Sequence, residues 1–285
     1  MAGKTCIVTG ATNGIGEVTA QTLAQMGATV IGVGRNPVKC VETADRIKAA
    51  TGNNNVDFLV ADLASQAQVR QLADVIKRKV ARIDVLVNNA GMYFAARQEN
   101  ADGIEMTWAL NHLNYFLLTN QLLDVLKAST PARIVSVSSA AHIGAKIRFD
   151  DVQFNNGYSG WAAYGQSKLA NVLFTYELAR RLEGTRVTAN VLHPGFVATG
   201  FGHNNGGLMG AGMKLFQRLA ARSPEKGAET SIHLATSPEV EGVSGKYFAD
   251  KIAVKSSPES YDRDTATRLW LLSEEQTGIK QPATA

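Results

Sequence analysis

The chain has 285 residues, 45% hydrophobic and 19% charged, with a formal net charge of +4. That composition excludes an extended disordered chain and fits one large domain with a sizeable core. Basic residues are spread along the sequence, which argues against nucleic acid as a partner. The two cysteines (Cys6, Cys40) and five dispersed histidines give neither a disulfide framework nor metal-ligand spacing. A reducing, cytoplasmic setting is the expectation. Met1-Ala2-Gly3-Lys4 leads straight into a strand-like run with no signal peptide, and no apolar run is long enough for a transmembrane helix.

Thr5–Thr9 is a short β-branched apolar run, read as a buried strand. The loop Gly10-Ala11-Thr12-Asn13-Gly14-Ile15-Gly16 follows, and helical periodicity runs from Glu17 to Met26. Glycines between a strand and a helix allow close approach of a pyrophosphate, which the helix N-terminus then meets with N–H donors. Residues 28–33 form a second strand, followed by Gly34-Arg35-Asn36-Pro37. Gly34 stands where many NAD sites carry a ribose-binding acid. Arg35 next to it suits a 2′-phosphate, so NADP is expected over NAD. Asn36 and Pro37 suit a helix start.

Val56–Val60 reads as a third strand ending at Ala61-Asp62-Leu63, where Asp62 either contacts an adenine or caps the helix from about Ser65 to Val80. Ile83–Val87 is a fourth, ending in Asn88-Asn89-Ala90-Gly91, small residues that let the backbone pass close to a cofactor. Such alternation predicts an α/β, doubly wound, mostly parallel sheet of seven strands with helices on both faces, a single-domain Rossmann fold over residues 1–285.

Asp102–Leu126 reads as a long helix interrupted by Asn111, which is a satisfied core amide, a water holder or a local bend. Arg133–Val137 is a fifth strand. Ser139, just beyond it, lacks the surroundings of an acylating nucleophile and suits donation to a substrate oxygen. On the helix Trp161–Leu182, Tyr164 and Lys168 share one face, one turn apart. An ammonium beside a phenol favours the phenolate, so the pair is a candidate proton donor for a reaction at oxygen. Strand Arg186–Leu192 ends at His193-Pro194-Gly195-Phe196-Val197-Ala198-Thr199, where Pro194 and Gly195 force a turn whose backbone groups suit a carboxamide.

These motifs, in this order, resemble the short-chain dehydrogenase/reductase superfamily. They are Thr9-Gly10-x-x-x-Gly14-Ile15-Gly16, Asn88-Asn89-Ala90-Gly91, Asn111, Ser139, Tyr164-x-x-x-Lys168 and Pro194-Gly195. Arg35-Asn36, Leu110-Asn111-His112-Leu113, Ser138-Ser139-Ala140-Ala141-His142, Ser167-Lys168-Leu169-Ala170-Asn171 and His193-Pro194-Gly195 look most like the branch of retinol dehydrogenases and related NADP-dependent reductases. The resemblance implies Tyr164 as general acid/base, Lys168 as ribose ligand that lowers the tyrosine pKa, Ser139 as polariser of the substrate oxygen and Asn111 as support of a water relay. It implies a cofactor site from Gly10, Thr12, Asn13, Gly14, Ile15, Gly16, Arg35, Asn36, Asp62, Leu63, Asn89, Ala90 and Gly91 through Tyr164, Lys168, Pro194, Gly195, Val197 and Thr199. The implied activity interconverts a hydrophobic aldehyde or ketone (retinoid-like, steroid-like or another lipophilic carbonyl) and its alcohol. The alternatives are a C=C reductase of the protochlorophyllide reductase type and a non-catalytic NADP-binding sensor.

The glycine-rich stretch from Phe201 and the helix-like Met213–Arg222 read as a lid over about 200–222, its basic face either solvated or in peripheral membrane contact. In the insert 144–161, Phe149, Val152, Phe154, Tyr158 and Trp161 line the pocket or cover the helix face used in oligomers, so monomer and homo-oligomer both stay open. Further on, a helix from Arg222–Glu225 to about Ala235, a last strand at Gly245–Phe248, a helix over Thr265–Ser273 and a flexible tail from Glu274 complete the expectation.

Overall fold

The computed structural model describes residues 1–195 and 222–279. Its strands are β1 (Thr5–Thr9), β2 (Thr29–Gly34), β3 (Val56–Val60), β4 (Val85–Asn88), β5 (Ala132–Val137), β6 (Val187–Leu192), β7 (Tyr247–Ala249) and β8 (Ile252–Val254). They form one sheet in the order β3-β2-β1-β4-β5-β6-β7-β8, parallel except for β8. The chain winds outward from β1 in one direction and from β4 in the other, which opens a crevice at the carboxyl ends of these neighbours. The sheet has eight strands rather than seven. The additional β8, Ile252-Ala253-Val254, is apolar but only three residues long between two lysines and exposed on every one, too short a run to mark a strand.

Alternation along the strands sends successive side chains to opposite faces. Cys6, Val8, Val30, Val85 and Val87 pack with Leu23 and Ala24 of α1 (Gly14–Gln25), Ile47 of α2 (Pro37–Thr51) and the later Leu234. Ile7, Ile31, Leu86 and Ile134 pack with Leu72 and Ile76 of α3 (Gln66–Lys79) and with helices from the second half. Both faces are covered, which explains why the strands read as continuous apolar runs.

The long helix expected from Asp102 begins at α4 (Met106–Trp108), passes through a π turn (Ala109–Leu113) and continues as α5 (Asn114–Ala128). Glu105, buried, sets that start: its carboxylate accepts from the backbone N–H of Thr107 (2.8 Å) and Trp108 (2.7 Å). Helix α6 (Gly160–Arg181) carries the Tyr164/Lys168 pair. After α7 (Pro224–Thr236), the final helix α8 runs Arg263–Thr277, longer at both ends than expected. Residues 274–277 are therefore helical rather than tail, held by Glu274 Oε1 accepting from Trp270 Nε1 (2.7 Å) and Gln276 Oε1 accepting from Trp108 Nε1 (2.9 Å). The expected lid, except Arg222, and residues 280–285 lie outside the described residues. No helix among the described residues is long and apolar enough to cross a membrane.

The insert and α8 together cover α6. Val152 and Phe149 pack with Leu169, Ala170 and Leu173 of α6 and with Leu269 of α8. Gln166 ties the insert down, donating to the Val152 carbonyl (2.8 Å) and accepting from Arg148 N–H (2.9 Å). Of the insert aromatics, Trp161 reaches the cavity described below, whereas Phe149 packs on the helix side. Trp270 of α8 stacks on Phe174 (5.8 Å, 20°) and meets Phe116 edge-on (4.9 Å). Replacing a fully buried aromatic leaves a cavity that rigid neighbours cannot close. Trp270→Ala is expected to destabilise the fold by about 3–5 kcal/mol in urea unfolding, and a loss below about 1 kcal/mol would mean that α8 is not integral to the core.

Candidate active site

The crevice above β1 and β4 holds a cavity of about 460 Å³. It runs from the β1–α1 loop, past the ends of β2 and β3, to α6 and the end of β6. At the loop, a Cβ on Gly16 would lie 2.2 Å from the Gly10 carbonyl oxygen, so only glycine lets the first turn of α1 sit against the strand end. Asn89 Nδ2 donates to the carbonyls of Thr9 (2.8 Å) and Gly10 (3.3 Å), while Thr9 Oγ1 accepts from the N–H groups of Asn89 (2.9 Å) and Ala90 (3.1 Å). These bonds lock the β1 and β4 ends together. Asn13 precedes α1 without a side-chain cap, which leaves the helix N-terminus and its N–H donors directed at the cavity.

At the end of β2, a Cβ on Gly34 would lie 2.4 Å from Thr12 Cγ2 and 2.8 Å from Cys40 Sγ. Any side chain at this position, an acid included, would require Thr12 and Cys40 to shift. Arg35, Asn36 and Lys39 line this end of the cavity, and the Asn36 carboxamide oxygen caps α2 at the Lys39 N–H (3.0 Å). Among the described residues neither Arg35 nor Lys39 has an ion-pair partner, so two cations face one corner. Lys39 is a lining residue that sequence reading missed. Its place on the first turn of a helix capped at Asn36 was the available signal. Asp62 does not cap the helix that follows, which Ser65 caps at the Gln68 N–H; its carboxylate instead accepts from Ala64 N–H (3.0 Å), and it lines the cavity with Ala61 and Leu63.

The other end gathers Ser139, Tyr164, Lys168, Pro194 and Gly195, with Met92, Leu110 and Trp161 as an apolar rim. Of the residues expected at the cofactor site, Gly14, the first residue of α1, lies off the cavity lining, and Val197 and Thr199 lie outside the described residues. Asn111 also lies behind the wall. Its amide accepts from Met92 N–H (2.8 Å) and donates to the Met92 carbonyl (2.9 Å) and Ser167 Oγ (3.1 Å). It is thus an engaged core amide, and it sits in the π turn.

Burial dominates the electrostatics. Removal from water pushes the Tyr164 phenol up to about 12, opposed by its hydrogen bond with the Ser139 side chain. The sequence alone suggested that Lys168 would draw the phenol down. Here Lys168 Nζ donates to the Val137 carbonyl (3.1 Å) and stands 5.6 Å from the Tyr164 ring centre, while burial drives its own pKa down to about 7. The phenol is accordingly held protonated, beside a second hydroxyl, at one end of the cavity. Lys168 carries protons less tightly in the fold than in the unfolded chain (about 7 against 10.5), so its contribution to stability rises with pH across that window. Lys168→Met should gain most over wild type at about pH 6.5 and progressively less towards about pH 10 in urea titrations, and a pH-independent difference would contradict the burial of the ammonium.

The comparisons agree with this geometry. A family model described as short chain dehydrogenase matches residues 4–207. Human Retinol dehydrogenase 13 is 44% identical over 99% of this chain and 86% of its own length. Human Polyprenol dehydrogenase is 44% identical over 97% and 86%. Mouse Retinol dehydrogenase 14 is 42% identical over 98% and 87%. Among solved structures, an uncharacterized protein from Mycobacterium Paratuberculosis superposes with a TM-score of 0.79 at 33% identity, covering 99% of this chain and 96% of that one. The Pseudomonas aeruginosa RhlG/NADP active-site complex superposes at 0.70 and 30% identity, covering 87% and 94%. A sheet crevice with the Tyr164/Lys168 pair at one end, a matching family model across most of the chain and end-to-end relatives all lead to one assignment: the chain belongs to the short chain dehydrogenases, oxidoreductases that bind a nicotinamide cofactor, in the branch that includes the retinol dehydrogenases.

Proposed function

We propose that the protein is an NADP(H)-dependent oxidoreductase that interconverts a lipophilic aldehyde or ketone and its alcohol, with Tyr164 as the group that gives or takes the proton. The observation that carries this reading is the Ser139–Tyr164 hydroxyl pair at the end of a cavity whose far corner holds the cations Arg35 and Lys39. The residues fit the cofactor: the glycine cradle takes the pyrophosphate, Arg35 and Lys39 take a 2′-phosphate, and Tyr164, Lys168, Pro194 and Gly195 enclose the far end. Bound there, the nicotinamide supplies or accepts a hydride at the substrate carbon.

In the reducing direction Ser139 holds the carbonyl oxygen and Tyr164 delivers its proton as charge develops on that oxygen. A phenol kept protonated by burial suits this role at neutral pH. Lys168, half charged near pH 7, lies on the same helix face and stabilises the phenolate that remains. Asn111 holds Met92, a lining residue, in place from behind. Met92, Leu110 and the exposed Trp161 supply an apolar rim, and two of the similar proteins are named for retinol and polyprenol, both isoprenoid alcohols; together these favour a lipophilic substrate.

Wild-type protein is expected to consume NADPH with apolar aldehydes, and Tyr164→Phe to lower kcat by about 10²–10⁴ with cofactor affinity retained. Turnover that survives this substitution would overturn the assignment of the proton donor. Replacing Arg35 and Lys39 together by alanine should weaken NADPH binding by about ten- to a hundredfold and leave NADH binding nearly unchanged in calorimetric titrations. Equal effects on both cofactors would remove the basis for the NADP preference.

A further inference from the structure

Ser139 is aimed by a short device that the reaction scheme leaves unused. The residue opens a single 3₁₀ turn, Ala140–His142, and its own Oγ accepts from the Ala141 N–H (3.2 Å). Its carbonyl accepts twice from one residue, from the backbone N–H of His142 (3.1 Å) and from His142 Nδ1 (2.7 Å). The opposite ring nitrogen, Nε2, accepts the backbone N–H of Ser257 (3.0 Å). Carbonyl and N–H have fixed roles, so they impose a neutral imidazole with the proton on Nδ1. Burial acts in the same sense by lowering the His142 pKa, and Tyr247 of β7 packs against the ring at 4.9 Å.

Ser257 belongs to a separate part of the chain. It follows β8 and precedes a 3₁₀ turn, Pro258–Tyr261. That segment is pinned to α6 through Ser256 Oγ, which bonds Tyr176 OH (2.8 Å) and Ser260 Oγ (2.6 Å), and through stacking of Tyr261 on Tyr176 (5.6 Å). His142 is therefore the link between the loop bearing Ser139 and a segment anchored on the helix bearing Tyr164. The two hydroxyls that meet at the substrate oxygen are held to one frame through this ring.

We propose that His142 is a positioning residue for Ser139: its Nδ1–H holds the serine carbonyl and so fixes the Ser139 hydroxyl relative to Tyr164, while the Ser257 N–H on Nε2 sets the tautomer that makes Nδ1 the donor. This rests on the reading of Ser139 as the hydroxyl that holds the substrate oxygen. Misplacement of a reacting group by about an ångström costs on the order of a hundredfold in rate, so a loosened turn shows in kcat before it shows in binding.

The two halves of the device separate by substitution. In His142→Asn the amide nitrogen takes the place of Nδ1 and keeps the bond to Ser139. In His142→Gln the amide reaches only the Ser257 side. With NADPH and all-trans-retinaldehyde as probes, His142→Gln should lose about ten- to a hundredfold in kcat with aldehyde KM and NADPH affinity close to wild type, and His142→Asn should recover most of that loss. In a Ser139→Ala background, His142→Gln should cost nothing further. Equal losses in the Asn and Gln variants, or an undiminished cost of His142→Gln in the Ser139→Ala background, would overturn the role of His142 and leave the reading of Ser139 standing. A Ser139→Ala enzyme with wild-type kcat would overturn that reading and the His142 role with it. Nitrogen-edited NMR of the imidazoles gives a readout independent of turnover. A protected Nδ1–H on neutral His142 is expected at pH 7, and an Nε2–H tautomer would overturn the proposal.

Discussion

Helix α6 has to be buried on almost every side, and much of the chain is arranged to meet that constraint. From Ala163 to Leu178 every residue is buried, including Tyr164, Gln166, Ser167, Lys168, Asn171 and Thr175. Phe174 and Leu178 pack towards the sheet, Leu169 and Leu173 towards the insert and α8, and Val172 and Tyr176 towards β6 and β7. A helix so enclosed must satisfy each polar group it carries within the protein. Ser167 Oγ donates to the Tyr164 carbonyl (2.7 Å), Asn171 Nδ2 to the Asn111 carbonyl (2.9 Å) and Thr175 Oγ1 to the Asn171 carbonyl (2.7 Å). The dense packing and the pairing of these polar groups fix Tyr164 and Lys168 without help from a ligand.

The same enclosure sets their chemistry. A phenol and an amine withdrawn from water both favour their neutral forms, so burial keeps the tyrosine protonated and makes the lysine a weak holder of its charge. The second layer holds this arrangement from several directions. Asn111, in the π turn, clamps the Met92 backbone. His112, next to it, reaches Asn171 (3.4 Å) and Ser273 of α8 (2.9 Å), which ties the final helix to the wall of the site. On the other flank His142 connects Ser139 to the segment after β8.

The parts of the fold legible in the sequence are those encoded locally. Apolar β-branched runs marked seven of the strands to within a residue or two, Asn36 marked a helix start by capping, and the glycine loop marked the turn between β1 and α1 that lines the cavity. The Tyr164/Lys168 pair was legible because helical spacing alone puts the two on one face. What escaped depends on partners distant in sequence. Strand β8 has no buried side chain to betray it, and its pairing with β7 decides its state. The π turn carries Asn111, whose amide grips Met92, nineteen residues earlier. Helix α8 extends past Ser273 because Glu274 and Gln276 find indole partners on Trp270 and Trp108. The high tyrosine pKa follows from burial that no spacing rule reports.

A crystal structure of the complex with NADP⁺ tests the central claim most directly, because one cavity must hold both the cation corner and the hydroxyl pair. The account predicts the pyrophosphate over the first turn of α1, the 2′-phosphate between Arg35 and Lys39, and the nicotinamide between Tyr164 and the Pro194-Gly195 turn. A 2′-phosphate turned to solvent away from both cations, or a nicotinamide placed out of reach of Tyr164 and Ser139, would contradict it.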